Sequence, residues 1–237
     1  MSERLVLGSP IDELLDRLYA ENAAQDAEMA AYFTARVAEG AVDWRRFDAR
    51  TNEFLRDKLV ALERPKAEFC YHVCRALRAR RIVEAGTSFG VSTLFLAAAV
   101  RDTVRRDGDG AEGRGDSGVV IATEYEQDKA RIARGHFAEA GLTSHIELRE
   151  GDLRETLVDI HGPIDFALID IWAPMAQPAL ALVLPHLREG AVVICDNTTQ
   201  FRQAYGEYFD FVLDPRNGLR TMTLPFEGGL EFTVREG

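Results

Sequence analysis

Apolar side chains before residue 80 recur every three or four positions, which is the spacing of one face of a helix. Ser9 and Pro10 are typical of a helix start, with Ser as the N-cap and Pro at the first helical position. The helix that begins there is predicted to continue to about residue 38, and Gly40 ends it. The same spacing predicts two further helices, one over residues 48–62 and one that begins at Pro65.

After residue 80 the apolar residues form short uninterrupted runs, and these alternate with segments of helical spacing. An uninterrupted apolar run is typical of a strand buried on both faces. Alternation of such strands with helices predicts a doubly wound parallel sheet covered by helices on both faces. The predicted strands are RIVEAG, GVVIATE, HIELRE, IDFALID and AVVICD, and the predicted helices are GVSTLFLAAAV, residues 126–140, LRETLVDI and residues 178–187.

The end of the chain follows a different pattern. GLRTMTLPFEGGLEFTV predicts two strands joined in an antiparallel hairpin, and residues 201–213 predict a helix that leads into it. One internal stretch, residues 103–118, is rich in Gly, Asp and Arg and predicts a flexible surface insertion. We therefore expect a single domain over residues 1–237, with residues 1–64 as a helical extension and residues 65–237 as the α/β core.

Composition limits the kinds of partner. The chain of 237 residues has a net charge of −11 and a pI of about 5.0, whereas a broad nucleic-acid or anionic-membrane surface needs clustered Lys and Arg. Three cysteines at irregular spacing predict neither a disulfide framework nor a zinc site. The sequence shows neither the apolar region of a signal peptide nor an apolar run of membrane-spanning length. We expect a cytoplasmic protein that binds a small-molecule substrate and neither nucleic acid nor membrane.

The stretch VEAGTSFGVS turns from the first strand into a helix through Gly86 and Gly90. Such a turn permits close approach of a ligand, and the helix start that follows offers N–H groups to an anion. A plain strand–helix turn is the alternative. The spacing differs from the G-x-G-x-x-G of NAD enzymes, which disfavours a dehydrogenase. Glu124 ends the second strand, where an acid can accept hydrogen bonds from ribose hydroxyls, and Asp152 with Leu153 follows the third strand.

Polar side chains also follow the fourth and fifth strands. Asp170 ends LIDIW, and Asp196 with Asn197 ends AVVICDN. Asp and Asn favour turns, so a turn without further chemistry is one explanation. Because ligands bind at the carboxyl ends of strands in a doubly wound sheet, the three side chains are also expected to converge on one rim. Three oxygen donors of this kind suit Mg²⁺ or Ca²⁺.

These motifs together resemble the class I S-adenosylmethionine-dependent methyltransferases, and the Asp…Asp-Asn set resembles the metal-dependent O-methyltransferases of the catechol and caffeoyl-CoA type. The resemblance covers about residues 65–235, with E-x-G-x-x-x-G-x-S at 84–92, the acid at Glu124, D-x-W at 170–172 and D-N at 196–197. It implies a Rossmann-like sheet of seven strands with an antiparallel C-terminal hairpin strand. It also implies transfer of a methyl group to a hydroxyl of a small phenolic or hydroxylated molecule.

The resemblance further implies roles for individual residues. S-adenosylmethionine is the implied cofactor, with Glu84 at its methionine end, Ser92 at its carboxylate, Glu124 at its ribose and Trp172 beside its adenine. The implied metal is Mg²⁺, with Ca²⁺ or Mn²⁺ as alternatives; its ligands are Asp170, Asp196 and Asn197, and Asp170 acts in catalysis through the metal. The complete implied cofactor-binding set is Glu84, Gly86, Thr87, Ser88, Gly90, Ser92, Glu124, Tyr125, Asp152, Leu153, Asp170 and Trp172.

One departure from the family pattern concerns the general base. The catechol enzymes have Lys three residues after the aspartate of the fourth strand, and this chain has Ala173 there. Its lysines are Lys58, Lys66 and Lys129, and none lies in this loop. A metal-bound hydroxide, a histidine such as His72 or an already acidic substrate could replace that base. A metal-independent methyltransferase acting on N, C or O and a non-catalytic binding protein of the same fold remain alternatives. The N-terminal helices are expected to cover the acceptor or to form a homodimer interface.

Overall fold

The N-terminal part of the computed structural model consists of helices, as predicted. The structure describes residues 4–40, 43–46, 48–107 and 118–237. Helix α1 spans Ile11–Ala38, α2 spans Ala49–Leu55 and α3 spans Arg64–Leu77. The predicted cap at Ser9 is wrong: the Ser9 hydroxyl donates to Glu13, while the Asp12 carboxylate accepts hydrogen bonds from the backbone of residues 7 and 8. Asp12 therefore fixes the chain that enters α1.

Helix α2 is shorter than the predicted 48–62. It begins near residue 48 as predicted, and Asp48 caps it, because its carboxylate accepts a hydrogen bond from the backbone N–H of Arg50 at 3.2 Å. The chain beyond α2 binds instead to two side-chain amides of α1. The backbone N–H of Leu59 donates to Gln25, and that of Ala61 donates to Asn22. These bonds use backbone N–H groups that a continued helix would need, so the helix stops, which the local helical spacing could not reveal.

The core is a seven-stranded sheet in the order β3-β2-β1-β4-β5-β7-β6, which confirms the predicted fold. Strands β1 to β5 pair in parallel, and β7 pairs antiparallel with both β5 and β6. The strands are β1 Arg81–Ala85, β2 Val119–Glu124, β3 Ile146–Glu150, β4 Ile164–Ile169, β5 Leu187–Asp196, β6 Leu219–Leu224 and β7 Leu230–Arg235. The remaining helices are α4 Val91–Asp107, α5 Gln127–Glu139, α6 Leu153–Thr156, α7 Ala173–Val183 and α8 Gly206–Leu213.

Several more boundaries differ from the sequence prediction: α6 ends at Thr156 and not at residue 160, α7 ends at Val183 and not at residue 187, and β5 begins at Leu187 and not at residue 191. Residues 103–107 belong to α4 instead of the predicted insertion, because Thr103 is buried and its hydroxyl donates to the Ala99 carbonyl. The rest of that insertion, up to residue 117, lies outside the described residues. Helix α7 begins at Ala173, with Pro174 in its first turn, and not at Pro178. Helix α8 starts at Gly206, after turns over residues 201–205.

Apolar side chains fill both faces of the sheet. One cluster packs α1, α3, α4 and α5 on one face, and the other packs α6, α7 and α8 on the opposite face. None of the helices that the structure describes is both long enough and apolar enough to cross a membrane. The carboxyl ends of β1 to β5 form one edge of this sheet, and the predicted functional residues lie along that edge.

Candidate active site

The turn that leaves β1 has no room for side chains at its two glycines. Gly86 has a φ of +101°, and a Cβ there would lie 1.9 Å from the backbone oxygen of Asp170. Gly90 has a φ of +88°, and a Cβ there would lie 2.4 Å from the ring of Phe137. Glycine is required at both positions because it tolerates positive φ and leaves space for these neighbours. The chain thereby passes directly into the N-terminus of α4, which favours an anion.

The carboxylate of Glu84, at the end of β1, is 0% exposed. It accepts hydrogen bonds from the hydroxyls of Ser92 at 2.7 Å, Thr87 at 3.1 Å and Thr93. Burial raises the pKa of Glu84 to about 7, although these hydrogen bonds oppose the shift. A buried carboxyl group that titrates near neutrality is suited to bind a ligand cation, because the cation stabilises its charged form.

The hydroxyl of Ser92 has a different partner from the one that the resemblance implied. A hydroxyl donates one hydrogen bond, and that of Ser92 goes to Glu84. Ser92 therefore holds Glu84 in place, and its hydroxyl is not directed at a ligand carboxylate. Thr93 has the same role and was missed in the sequence, although a run of hydroxyl residues at the start of α4 was visible there.

The carboxylate of Glu124, at the end of β2, faces the same turn. Its Oε2 accepts the backbone N–H of Ser88 at 2.6 Å, and its Oε1 accepts that of Glu126 at 2.8 Å. Burial raises the pKa of Glu124, while the hydrogen bond from Glu126 and the charge of Lys129 oppose the shift. A carboxylate has about four lone-pair positions, so Glu124 retains capacity for ligand hydroxyls.

Three more residues were predicted to contact the adenosine group: Tyr125, Asp152 and Leu153. No hydrogen bond between any two of them is found in the described part of the chain. Tyr125 is 68% exposed beside Glu124. The carboxylate of Asp152 caps α6 by accepting the backbone N–H of Arg154 at 2.9 Å, and the guanidinium of Arg154 also donates to it. Leu153 is buried. An adenine-binding role for this edge therefore stays a prediction.

The structure brings Asp170 and Asp196 side by side at the ends of β4 and β5. Ile169 and Cys195 are register partners in the parallel pair, and each aspartate is the next residue along its chain. Burial raises the pKa of Asp170 well above its usual value, the negative charge of Asp196 adds to the shift, and the Lys66 ammonium opposes it. Burial also raises the pKa of Asp196 to about 6, against the hydrogen bond and charge of Lys66. The predicted convergence on one rim is thus present in the structure.

Lys66 is a member of this site that sequence reasoning missed. It lies in the first turn of α3 and is 1% exposed. Its Nζ is 2.6 Å from Oδ1 of Asp196 and 2.5 Å from Oε2 of Glu63. Burial lowers the pKa of Lys66, but the hydrogen bonds and attraction to these two carboxylates outweigh burial, so the pKa is raised overall. No local pattern could reveal the contact, because Lys66 and Asp196 are 130 residues apart.

The oxygen donors predicted to bind a metal are directed elsewhere. Asp196 Oδ1 accepts from Lys66, and its Oδ2 accepts the amide of Asn197 at 2.9 Å. The side-chain oxygen Oδ1 of Asn197 lies against Gly228, since a Cβ on that glycine would be 2.5 Å away from it. Across residues 4–40, 43–46, 48–107 and 118–237, no group of three or more His, Cys, Asp or Glu side chains is placed to hold a metal ion. As arranged, Asp170, Asp196 and Asn197 do not fit a divalent cation.

An aromatic wall, defined as Trp44, Trp172 and Phe201, stands beside this rim. Trp172 lies two residues after Asp170 and occupies the N-cap position of α7 without a side-chain capping hydrogen bond. The ring centroid of Trp44, from the segment between α1 and α2, lies 6.4 Å from that of Trp172 and 4.6 Å from that of Phe201. Phe33 of α1 supports Trp44 from behind at 5.3 Å. The N-terminal helices thus contribute directly to the surroundings of the site.

The structure does not supply the histidine base that was one of the alternatives. His72 is exposed on α3, and its ring packs edge-on against Tyr71. Ala173 begins α7 and carries no functional group. Within the described part of the chain, the Asp170 carboxylate is the acidic group on this rim that is only partly buried and that accepts no hydrogen bond.

Comparison with known proteins agrees with the fold. The family model described as a methyltransferase domain matches residues 83–198, which run from β1 to just beyond β5. A solved O-methyltransferase from Bacillus cereus, in complex with SAH, superposes with a TM-score of 0.68 over 96% of this chain and 93% of that chain, at 20% sequence identity. The resemblance to class I methyltransferases predicted from the sequence is confirmed.

Two curated relatives are more specific. The chain is 29% identical over 139 residues to a catechol O-methyltransferase of Mycobacterium tuberculosis and 27% identical over 142 residues to one of Niastella koreensis. Each alignment covers 58% of this chain, together with 57% of the first relative and 58% of the second. The chain therefore matches less than two thirds of the length of either relative.

Proposed function

We propose that this protein is an S-adenosylmethionine-dependent O-methyltransferase that methylates a hydroxyl of a small molecule. The observation that carries the proposal is the buried, hydroxyl-bound carboxylate of Glu84 beside a turn that only glycine can form. It lies on the same sheet edge as Asp170, so a methyl donor and an acceptor would meet there. The methyltransferase family match and the catechol O-methyltransferase relatives support this reaction.

The residues divide the work of such a reaction between them. S-adenosylmethionine supplies the methyl group when it is bound. Glu84 pairs with the ligand ammonium group, and Glu124 accepts hydrogen bonds from the ribose hydroxyls, which fixes the ligand in one orientation. Asp170 faces the acceptor from the neighbouring strand end. The protein then contributes mainly orientation, since holding donor and acceptor in line can supply about 7–11 kcal/mol of the barrier.

The acceptor is proposed to be an aromatic or otherwise planar hydroxylated molecule. Trp44, Trp172 and Phe201 form one wall of the rim, and aromatic side chains bind planar rings with favourable geometry. The names of the curated relatives point to phenolic acceptors as well. A divalent cation is not included in the proposed function, because the oxygen donors do not fit one as arranged.

The proposal is tested by calorimetry with S-adenosylmethionine, followed by a methyl-transfer screen over catechols, phenols and hydroxy acids. We expect binding of one cofactor per chain and turnover of at least one phenolic acceptor. Glu84→Gln should lose most of the cofactor affinity, whereas Glu231→Gln, which alters a buried carboxylate on β7, should not. Absence of cofactor binding to the unaltered protein would contradict the proposal.

The second candidate is a methyltransferase-fold protein that binds ligand without turnover. Ala173 favours it, because the resemblance to the catechol enzymes implies a lysine base at this position and Ala173 cannot take up a proton. The same calorimetry and screen separate the two functions. Cofactor binding with no methyl transfer to any acceptor class would support the binding protein and contradict the enzyme.

A further inference from the structure

The side chain of Lys66 lies in the part of the site where the resemblance to metal-dependent O-methyltransferases implies a metal ion. Of the three lysines in the chain, Lys66 alone is fully buried, and its ammonium contacts the carboxylates of Asp196 and Glu63. A charged amine is rarely buried unless it is paired, because burial removes it from water. The two carboxylates stabilise the buried ammonium of Lys66.

We propose that the Lys66 ammonium replaces the divalent cation in this site, and that methyl transfer by this protein is independent of metal. The inference rests on the proposed function for its consequence in catalysis. The exclusion of metal from Asp196 stands on the geometry of Lys66 itself.

Electrostatics gives the first argument. Asp170 and Asp196 end adjacent parallel strands, and the buried Glu84 lies one strand further along the sheet. Carboxylates brought together away from water require a cation nearby, and the resemblance to metal-dependent O-methyltransferases implies a metal ion in that place. Here a positive charge lies 2.6 Å from Asp196 and belongs to the protein. A divalent ion at the same oxygen would be repelled by this ammonium.

Geometry gives the second argument. Both oxygens of Asp196 already accept hydrogen bonds, one from Lys66 and one from the amide of Asn197. That hydrogen bond turns the Asn197 amide so that its oxygen lies against Gly228 and not toward the rim. Each oxygen of Asp196 keeps a further lone pair, but a metal ion bound there would lie beside the Lys66 ammonium, and Asn197 would have to rotate to offer its side-chain oxygen.

The scaffold around Lys66 holds the ammonium in place. Pro65 lies in the first turn of α3, and the backbone N–H groups of Lys66 and Ala67 both donate to the Glu63 carbonyl. Cys70, one turn further along the helix, is buried, and burial together with the negative charges of Asp196 and Asp170 raises the pKa of its thiol. The helix start therefore fixes both the backbone of Lys66 and its carboxylate partner Glu63.

Lys66 acts in this proposal as a positioning residue. It neutralises Asp196 and keeps that carboxylate turned toward α3, which leaves Asp170 as the partly buried acid beside the acceptor. A purely structural ion pair would stabilise the fold in the same way but would not decide whether the site binds metal. Metal binding is therefore the readout that separates the two roles.

The experiment titrates Mn²⁺ into the full-length protein and follows bound metal by electron paramagnetic resonance. The unaltered protein is expected to bind no stoichiometric Mn²⁺, and its methyl transfer is expected to be unchanged by EDTA. In Lys66→Gln the charge is removed, so Mn²⁺ affinity is expected to rise by about tenfold or more. Lys66→Arg keeps the charge, and Lys58→Gln removes a charge elsewhere, so both variants should bind no stoichiometric Mn²⁺.

Three results would overturn the proposal: one tightly bound Mn²⁺ in the unaltered protein that Asp196→Asn removes, turnover that EDTA abolishes, or no gain of Mn²⁺ binding in a Lys66→Gln variant that still binds S-adenosylmethionine. If Lys66→Gln does not fold, the first two results still decide the question, together with Lys66→Arg. Absence of S-adenosylmethionine binding to the unaltered protein would instead contradict the proposed function. Failure of the proposal on Lys66 and failure of the proposed function are therefore distinguishable.

Discussion

The two halves of the candidate site are assembled from different distances along the chain. At the end of β1, the hydroxyls that hold Glu84 come from residues 87, 92 and 93, at most nine positions away. At the end of β5, the group that neutralises Asp196 comes from Lys66, 130 positions away. The first half is a local turn with its own side chains. The second half exists only when α3 docks against the sheet.

This difference has a consequence for how each half responds to change. The half at the end of β1, which is proposed to bind the cofactor, depends on backbone shape, because Gly86 and Gly90 admit no side chain. The half at the end of β5, which is proposed to face the acceptor, depends on the buried ion pair of Lys66 and Asp196. Loss of one partner leaves the charge of the other uncompensated. Substitutions should therefore damage the two halves through separate mechanisms.

The largest expected effect is the removal of the charge at Lys66. Lys66→Met should lower the free energy of unfolding by about 3–5 kcal/mol, because it leaves Asp196 buried without its cation. The double variant Lys66→Met with Asp196→Asn should cost less than the sum of the two single variants. Urea denaturation measures all three.

Lys58→Met is the control for that cycle, since Lys58 pairs with the exposed carboxylates of Glu28 and Asp57 and should contribute little. Strict additivity of Lys66→Met and Asp196→Asn would show that the pair is not coupled.

The next effect tests the local half. Gly86→Ala should destabilise the protein by about 2–4 kcal/mol, because a Cβ at φ of +101° would meet the Asp170 backbone oxygen at 1.9 Å. Thermal denaturation measures this loss, and calorimetry should show that cofactor binding is lost as well. Gly135→Ala is the matched control in α5, where nothing lies within 4 Å of the new Cβ. Stability of Gly86→Ala equal to that of Gly135→Ala would refute the close approach.

A third effect follows from the pKa of Glu84. Burial raises this pKa to about 7, and a ligand ammonium favours the ionised carboxylate, so affinity should rise as pH rises toward 7 and then level off. Between pH 5.5 and pH 7 the affinity for S-adenosylmethionine should increase about tenfold. Calorimetry across this range measures it. Glu84→Gln, which cannot ionise, should bind weakly and without this pH dependence; a pH-dependent affinity in that variant would assign the titration to another group.

The smallest expected effect concerns the aromatic wall. Trp44→Ala should raise the KM for a phenolic acceptor about 2–10-fold, as expected for the loss of an aromatic contact worth about 0.5–1.5 kcal/mol. Cofactor affinity should change less than the KM, because Trp44 and Phe201 lie outside the predicted cofactor-binding set and Trp172 alone of the aromatic wall belongs to it. Steady-state kinetics measures the change, and Val37→Ala at an exposed position of α1 serves as the control. An unchanged KM in Trp44→Ala would remove the N-terminal segment from the acceptor site.

Much of the fold could be predicted from the sequence because it is written in local patterns. Uninterrupted apolar runs identify buried parallel strands, and the C-terminal alternation identifies the hairpin of β6 and β7. Boundaries that depend on tertiary contacts were less predictable. Helix α2 ends early because amides of Gln25 and Asn22 bind the chain beyond it, and these contacts span more than thirty residues.

The site follows the same division. By itself, the sequence determined the glycine turn, the acid at Glu124 and the convergence of Asp170 with Asp196, because strand ends in a parallel sheet meet at one edge. Only the tertiary structure decided which group pairs with Asp196 and which aromatic side chains lie beside the rim. Lys66 and Trp44 reach the site from α3 and from the segment before α2, and packing of a helix against a sheet is not encoded in the spacing of neighbouring residues. The identity of the cation at Asp196 is therefore a property of the packed molecule.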